Sequence, residues 1–494
     1  MSQPNNTSLS QKVLRGTFWT MAMRWLSRFL GILSMAVVAR LLTPEDFGII
    51  AVTTALIGLM DAFTDLGADT ALIRHPNPQP SHYNTVWTFT VITHSVSALL
   101  IAVCGYFSSL LYPDPRYQQV LYVMALSMLI AGLTNIGIAD FRRHLQYHKD
   151  FQLNVAVQVI AIATTIACAF WLRSYWALVF GGLSRSLGRV ALSYALHPYR
   201  PRLCLTERRQ MFGFSFWIML RAVAIFLTNK ADRLVLAAYY KPALLGLYAI
   251  AGELASLAVF ELLHPIGRVL LPALATKQND RPWLENNFKK MCNISATLAT
   301  ASGVGLAAVA TPALTLLYGQ PYAAAADYLV LLALLATLEG FSQPIGQYLL
   351  LLNRARAYAL LYIFEGIATL SVVYLLATQQ FDLQYVLYGR LAVSALAFLR
   401  LFYLLRMFKS VGPLTICASW IRPMVAGAAL YFGVSHLQRL LPEMPVGLLL
   451  PVLIACGALI FSFVLLLMWL LMRRPAGIEQ ELLQRLGLYH PQSP

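Results

Sequence analysis

Apolar runs that are long enough to cross a lipid bilayer follow one another along almost the whole sequence. A transmembrane helix needs about 20 mainly apolar residues, and fourteen stretches meet that requirement. Only 12% of the residues are charged and 59% are hydrophobic, whereas soluble domains carry about 25% charged residues. We therefore predict an all-α integral membrane protein. The predicted spans are roughly 17–41, 47–66, 86–111, 118–139, 153–172, 176–197, 212–237, 244–271, 291–317, 323–350, 357–377, 384–405, 415–436 and 446–472.

Lysine and arginine residues alternate between the connecting segments. If the N-terminus is cytoplasmic, the inner segments, to which we assign Arg422, hold twenty-one of these residues and the outer segments hold five. Basic loops remain on the cytoplasmic side of a membrane, so both ends of the chain are predicted to be cytoplasmic. The same loops account for the net charge of +16, which therefore does not indicate a nucleic-acid partner.

Patterns that would indicate catalysis or metal binding are missing from the sequence. The six cysteines lie far apart and form no CxxC pair. No nucleotide-binding loop, zinc-protease motif or serine-hydrolase motif occurs in its proper context. No segment between the spans is long enough for a catalytic domain, and the first residues do not resemble a cleaved signal peptide. The chain is not expected to be an enzyme, and no catalytic residue, metal site or cofactor is predicted.

Two parts of the sequence are similar at a constant separation of 198 residues, which indicates an internal duplication. FWTMAMRW recurs loosely as FWIMLRAV, and each copy is followed by a PxxxG loop and a further helix. Six spans separate the copies, so both halves enter the membrane in the same direction, which predicts parallel lobes around a central cavity. The matching residues are Phe18 with Phe216, Pro44 with Pro242, and Gly48 with Gly246.

The repeat defines the predicted domain organisation. The first six spans form an N-terminal lobe at 1–199, and the basic segment 200–210 is the cytoplasmic linker. Spans seven to twelve form a C-terminal lobe at 211–410. Two additional spans lie at 411–472, and 473–494 is a cytoplasmic tail.

A short motif follows the first predicted span. It reads RLLTPEDFG from Arg40 to Gly48, and Asp65-Leu66-Gly67 and a basic stop at Arg74 follow it. This pattern resembles the Wzx-type oligosaccharide flippases. They belong to the polysaccharide-transport branch of the multidrug/oligosaccharidyl-lipid/polysaccharide (MOP) exporter superfamily, and the likeness is greatest to the WzxC-like subgroup. The rest of the chain agrees with that family in topology rather than in motif.

The resemblance implies a MATE-like MOP fold of two six-helix lobes, with two further C-terminal helices, around a cavity that opens alternately to either side. It implies that undecaprenyl-pyrophosphate-linked oligosaccharide repeat units are moved from the cytoplasmic to the periplasmic leaflet of the bacterial inner membrane. Those units would serve the assembly of O-antigen, capsule or exopolysaccharide. The implied partners are the lipid-linked oligosaccharide, the membrane and the polysaccharide polymerase machinery. Which glycan is carried is not implied.

Charged residues inside the predicted spans are the candidate functional residues. Arg24 and Arg28 stand one helical turn apart, roughly 11 and 17 Å above the cytoplasmic end of the first span, and Arg221 and Lys230 lie in the seventh. Arginine suits a diphosphate because its planar group donates two hydrogen bonds at once. We predict that these four residues bind the headgroup, with Arg24 and Arg28 as the only basic pair one turn apart near the cytoplasmic entrance.

A structural role is the alternative for the arginines, which would then pair with Asp61 and Asp65 of the second span. Acids within spans are also candidates for binding a proton or a sodium ion, because a carboxyl group in a low dielectric can change its protonation state. The sequence offers no obvious partner for Glu339 or Glu365. The coupling or ion-pair candidates are Asp61, Glu253, Glu261, Glu339 and Glu365.

Two other interpretations remain open at this point. A lipid II or multidrug exporter of the same superfamily would have the same architecture, although the basic spans favour an anionic substrate over the cations that drug exporters prefer. A membrane glycan polymerase or ligase would belong to a different class, and the short outer loops argue against it.

Overall fold

The computed structural model describes residues 9–64, 72, 75–112, 114–207, 215–275, 280–352, 354–407, 411–441 and 444–472. These residues form helices and short connections, and none of them lies in a β-strand. The chain divides into two compact units, Met1–Gly246 (unit 1) and Leu247–Pro494 (unit 2). The prediction of an all-α membrane protein is confirmed.

Unit 1 contains ten helices or parts of helices among the described residues. A short 3₁₀ turn, Ile136–Ile138, separates α4 from α5. The helices are α1 (Leu9–Ala39), α2 (Pro44–Thr64), α3 (Pro80–Leu111), α4 (Arg116–Gly132), α5 (Ala139–Arg143), α6 (Tyr147–Leu172), α7 (Trp176–Leu196), α8 (Ser215–Asn229), α9 (Asp232–Ala237) and the first turn of α10 (Pro242–Ala275).

Unit 2 begins inside α10 and continues to the C-terminal helix. A 3₁₀ turn, Gln320–Ala325, precedes α13. The helices are α11 (Arg281–Ala308), α12 (Ala310–Tyr318), α13 (Ala326–Leu351), α14 (Ala355–Thr378), α15 (Leu383–Ser394), α16 (Ala397–Leu405), α17 (Pro413–Leu440) and α18 (Val446–Leu471). The core of this unit packs Val259 and Leu263 against Phe288, Tyr348 and Trp420.

The described residues of every predicted span coincide with a helix or with two helices separated by a short break. Eleven helices of the described chain are long and apolar enough to cross a membrane, and the count is twelve if Arg116–Gly132 and Ile136–Arg143, bent by 64°, form one span. Neither α7 nor the broken pair α8 and α9 belongs to the eleven. The count of fourteen therefore stays a prediction, as do the lobe boundaries at 199 and 211.

The first turn of α2 has a complete set of local start signals. Thr43 precedes the helix and Pro44 is its first residue, where a missing N–H group has no consequence. The Asp46 carboxylate accepts hydrogen bonds from the backbone N–H and the hydroxyl of Thr43 at 2.9 and 2.8 Å. The Asp46 N–H is directed back to the Thr43 hydroxyl at 3.4 Å, as in a capping box. The PxxxG segment is thus the start of a helix and not a loop.

The two PxxxG segments of the repeat contact each other, within unit 1. A Cβ atom added to Gly48 would collide with the carbonyl group of Pro242, and one added to Gly246 would collide with the carbonyl group of Pro44. Each glycine therefore allows the other segment's backbone to approach. The residues that match in the sequence repeat are also the ones that meet in the fold.

Candidate functional site

Arg24 and Arg28 lie on α1, whose first turns pack on α6. The rings of Trp19 and Phe151 are 4.9 Å apart, and Gly16 lies against Tyr147. At about 100° per residue, Arg24 and Arg28 are roughly 140° and 180° around the helix from Trp19. Arg24 is half-buried and Arg28 is exposed. Both guanidinium groups therefore point away from the helix on which α1 packs.

Asp61, the suggested partner of Arg24, lies near the end of α2 and is exposed. Its backbone carbonyl accepts a hydrogen bond from the Thr64 hydroxyl at 3.1 Å. The pairing of Arg24 with Asp61 stays a prediction. Asp65, the other suggested partner, and Arg74 lie outside the described residues, as do Leu66 and Gly67.

Lys230 lies at the break between α8 and α9, so the described residues 215–237 of the predicted span 212–237 form two helices and not one. Its side chain is exposed, and its stem lies beside Gly58 of α2, where an added Cβ would be 3.8 Å from the lysine Cδ. Arg221 belongs to α8, but its side chain is outside the described part of the chain. The grouping of Arg221 and Lys230 with Arg24 and Arg28 therefore stays a prediction.

A second basic pair, which the sequence analysis missed, lies in α7. Arg185 and Arg189 are one turn apart inside the predicted span 176–197, so the expectation that Arg24 and Arg28 are the only such pair is wrong. Arg189 donates a hydrogen bond to Asn154 Oδ1 of α6 at 3.4 Å. The signal was present in the sequence as the same four-residue spacing that identified the first pair.

The predicted acids of unit 2 lie in different environments. Glu253 is exposed and Glu261 is half-buried, both on α10. Glu339, on α13, is half-buried and close enough to Glu365 of α14 for the two charges to interact. Two acids in such proximity are candidates for binding a proton or a cation.

Glu365 has a partner that the sequence analysis did not identify. Its Oε2 atom is 2.8 Å from an Nη2 atom of Arg400, on α16, and both side chains are 6% exposed or less. The Arg400 guanidinium also lies over the ring of Tyr362, 4.0 Å from its centroid, a distance at which cation and ring attract each other. The interpretation of Glu365 as an acid without an obvious partner is wrong, because its partner lies on another helix.

Two further arginines are buried in unit 2. Arg390, on α15, donates a hydrogen bond to the hydroxyl of Tyr248 on α10 and is 7% exposed. Arg422 is 1% exposed inside α17, so its assignment to an inner connecting segment is wrong. A hydropathy window tolerates one arginine among many apolar residues, and neither residue was recognised from the sequence.

The RLLTPEDFG motif contributes structure around the start of α2. Asp46 Oδ1 accepts a hydrogen bond from the backbone N–H of Tyr175 at 2.9 Å, which fixes the segment before α7. Glu45 contacts the Arg116 guanidinium, which also contacts Asp114 at 2.6 Å. Hydrogen bonds from Arg116 hold the pKa of Asp114 below its usual value. The motif therefore connects the starts of α2, α4 and α7.

The described part of the basic connector runs along α3. The Tyr199 hydroxyl donates to Asn84 Oδ1 at 2.8 Å, and the same oxygen accepts the backbone N–H of Arg202 at 2.9 Å. The Cys204 N–H donates to the Thr88 hydroxyl at 2.8 Å. Polar residues at the start of a membrane span thus fix the connector to unit 1.

Two solved structures have the same overall fold. Lipid II flippase MurJ, in an inward closed conformation, matches with a TM-score of 0.71 at 12% identity and covers 93% of this chain and 100% of its own. A multidrug resistance MATE family transporter of the MOP superfamily, in an inward-facing conformation, matches with a TM-score of 0.61 at 14% identity over 80% of this chain and 95% of its own. These likenesses confirm the MOP fold.

Three curated proteins are similar in sequence. The lipopolysaccharide biosynthesis protein WzxC of Escherichia coli (strain K12) is 23% identical over 71% of each chain. The succinoglycan biosynthesis transport protein ExoT of Rhizobium meliloti (strain 1021) is 22% identical over 74% of each chain. The teichuronic acid biosynthesis protein TuaB of Bacillus subtilis (strain 168) is 21% identical over 93% of this chain and 96% of its own.

A family profile described as "Polysaccharide biosynthesis protein" matches residues 37–327. The match includes the whole RLLTPEDFG motif, the pair in α7 and both PxxxG segments, and it extends over more than half of the chain. It agrees with the resemblance seen in the sequence. The chain therefore belongs to the polysaccharide biosynthesis protein family of membrane proteins.

Proposed function

We propose that the protein is a flippase that moves undecaprenyl-pyrophosphate-linked oligosaccharide repeat units from the cytoplasmic to the periplasmic leaflet for surface polysaccharide assembly. The observation that carries the proposal is the pair Arg24 and Arg28, on a helix whose stretch Phe18–Ala39 is apolar enough to cross a membrane. A guanidinium group in hydrocarbon is unfavourable by several kcal/mol, so it faces protein or water. Arg28 is exposed, and a water-filled cavity accounts for that exposure.

The chemistry of the substrate explains why such a cavity is needed. A diphosphate with attached sugars is charged and strongly hydrated, and it cannot cross hydrocarbon unaided. Arginine keeps its charge when partly dehydrated and binds phosphate oxygens with two parallel hydrogen bonds. In the proposed cycle Arg24 and Arg28 bind the diphosphate, Arg221 and Lys230 add positive charge, and the polyprenyl chain remains in lipid.

Transport in a fixed direction needs an energy source, and we propose proton or sodium coupling. Asp61 is the candidate in unit 1, and Glu253, Glu261, Glu339 and Glu365 are the candidates in unit 2. Among these, Glu365 contacts Arg400 and is close enough to Glu339 for the two carboxylates to interact. Binding of a proton or cation to one carboxylate would change how strongly the pair attracts the guanidinium.

The family membership favours a polysaccharide precursor over the rival substrates. WzxC, ExoT and TuaB are each named for the biosynthesis of a polysaccharide, whereas the likeness to MurJ and to the MATE transporter concerns the fold. Polysaccharide polymerase machinery, which would consume the exported units, is the proposed partner. The bacterial inner membrane is the proposed location.

We further propose that both chain ends are cytoplasmic, which cysteine labelling can test. In a variant without the six native cysteines, a membrane-impermeant thiol reagent is expected to label Pro115→Cys and Gln320→Cys from outside intact spheroplasts. His148→Cys and Arg281→Cys are expected to react only after the membrane is permeabilised. All four positions are exposed. Labelling of His148→Cys in intact spheroplasts would contradict the orientation.

The proposed function is tested in a strain from which the gene is deleted. Mass spectrometry of extracted lipids is expected to show an accumulated polyprenyl-diphosphate oligosaccharide, and the surface polysaccharide is expected to disappear until the wild-type gene is restored. Accumulation of lipid II would identify a lipid II exporter instead. An unchanged lipid extract together with normal surface polysaccharide would contradict the proposal.

A further inference from the structure

Arg185 and Arg189 form a cationic pair in α7, and the stability of the helix does not explain why the pair is there. Like charges four residues apart destabilise a helix. Within the described part of the chain Arg185 has no hydrogen-bond acceptor and no carboxylate, and the charge that acts on it is that of Arg189. A cation of this kind in a membrane helix is expected to bind an anionic ligand.

The two arginines lie on the inner side of α7. Gly181 and Gly188 mark the face that packs on α6, and Ser186 marks the face that packs on α4, where its hydroxyl is 2.8 Å from that of Ser127. At about 100° per residue, Arg185 and Arg189 fall between these two faces.

The opposite side of α7 carries exposed apolar residues that suit lipid. Phe180 is 37% exposed and Leu187 is 50% exposed, and both lie roughly 140–180° around the helix from the two arginines. Arg185 is nevertheless exposed. An exposed guanidinium on the inner side of a helix lines an accessible space, and its charge requires that this space contain water.

The contacts of α1 and α7 with α6 place the pair Arg24 and Arg28 and the pair Arg185 and Arg189 at similar depths along the helices. Trp19 of α1 contacts Phe151 in the second turn of α6, and Arg189 of α7 contacts Asn154 one turn further along. At about 1.5 Å per residue, Arg24 and Arg28 lie about 9 and 15 Å from the start of the apolar part of α1 at Phe18. Arg189 and Arg185 lie about 11 and 17 Å from the end of α7 at Leu196.

We propose that Arg185 and Arg189 are a second diphosphate-binding pair, and that the diphosphate of the substrate is bound jointly by the arginines of α1 and α7. This proposal rests on the proposed function and adds residues that specify the anionic group. A diphosphate has more acceptor oxygens than one pair of arginines can satisfy with hydrogen bonds. Four guanidinium groups, two on α1 and two on α7 at similar depths, suit it. The ligand class is a polyprenyl diphosphate.

Binding of farnesyl diphosphate to the purified full-length protein in detergent is the direct test. Arg185→Gln and Arg189→Gln are each expected to weaken binding about ten-fold or more, and the lysine variants should bind with intermediate affinity. Arg202→Gln, on the connector, removes one exposed positive charge outside the spans and should leave binding unchanged. The melting temperature of Arg185→Gln should not fall, because no acid of the described chain loses its partner.

Two further ligands identify what the pair recognises. Farnesol lacks the diphosphate and is expected not to bind, and glucuronate tests whether a sugar carboxylate is the anion. If Arg185→Gln and Arg189→Gln abolished binding of glucuronate but left binding of farnesyl diphosphate intact, the diphosphate assignment would be overturned.

The proposal would also be overturned by a folded Arg185→Gln/Arg189→Gln variant that binds farnesyl diphosphate like the wild type. If that variant also restores surface polysaccharide, only this proposal fails. If the wild-type gene does not restore surface polysaccharide to the deletion strain, the proposed function itself fails.

Discussion

The two units differ in how they accommodate the arginines that lie inside their predicted membrane spans. In unit 1, Arg28 and Arg185 are exposed, and Arg185 has no acid partner among the described residues. In unit 2, Arg390, Arg400 and Arg422 are 7% exposed or less. Arg400 contacts the buried Glu365 carboxylate, and Arg390 contacts the hydroxyl of Tyr248.

This difference separates two uses of the same side chain. A buried charge must have its partners fixed by the fold, because removing either partner leaves an uncompensated charge. An exposed guanidinium can instead exchange water for the oxygens of a ligand. We therefore expect substitution of the exposed arginines of unit 1 to reduce transport and substitution of the buried arginines of unit 2 to reduce stability.

The largest effect is expected from Arg24→Ala/Arg28→Ala. Each charge-assisted contact contributes about 1.5–3 kcal/mol, so losing two should reduce substrate binding by a hundred-fold or more. Complementation of the deletion strain, with surface polysaccharide and membrane abundance of the protein measured together, is expected to show almost no export at normal abundance. Arg28→Lys keeps the charge and should be impaired less than Arg28→Ala. Normal export by the double variant would remove the functional distinction between the units.

Arg400→Met should reduce stability by about 3–5 kcal/mol, because Glu365 is then buried without its partner. Thermal unfolding in detergent and abundance in the membrane are the measurements. Adding Glu365→Gln should recover much of the loss if the pair is structural. Recovery of stability without recovery of export would instead indicate that Glu365 also serves coupling. An Arg400→Met protein as stable as the wild type would show that unit 2 does not depend on the pair.

The contact between the PxxxG segments predicts that substitution of Gly48 and substitution of Gly246 reduce stability to a similar extent, and by less than Arg400→Met does. Gly48→Ala and Gly246→Ala each place a methyl group against a backbone carbonyl that cannot move alone, which should reduce stability by about 1–3 kcal/mol. Gly31→Ala and Gly182→Ala are matched controls, because nothing lies within 4 Å of the added atom. Melting temperatures of the four variants would test the contact. It would be contradicted if Gly48→Ala and Gly246→Ala melted at the same temperature as the two controls.

The smallest effect is expected from Arg116→Gln, because Arg116 is one-third exposed and such ion pairs contribute less than about 1 kcal/mol. The folded pKa of Asp114 is lowered, so the contribution is complete above its unfolded pKa of about 3.9 and is lost as the pH falls through the folded value. The melting-temperature difference between wild type and variant should therefore decrease below about pH 4. A difference that grows in acid would contradict this assignment.

The parts of the structure that depend on local sequence could be predicted. Spans follow from the apolar content of about 20 residues, and the start of α2 follows from Thr43, Pro44 and Asp46. Arg185 and Arg189 could have been found by the spacing rule that identified Arg24 and Arg28. The pair Glu365 and Arg400 could not, because depth along two helices does not fix the rotation of either about its axis.

The contact between the PxxxG segments has the form of an isologous interface. The proline carbonyl of the second segment packs against the glycine of the first, and the proline carbonyl of the first packs against the glycine of the second. Such reciprocal contacts are those of a two-fold dimer. A shorter ancestral chain with one such segment would have met a second copy of itself through this turn. Fusion of two genes then preserves the interface while each half is free to change elsewhere. The exposed Arg28 and Arg185 of the first half and the buried Arg390 and Arg400 of the second half are the kind of divergence that such a fusion permits.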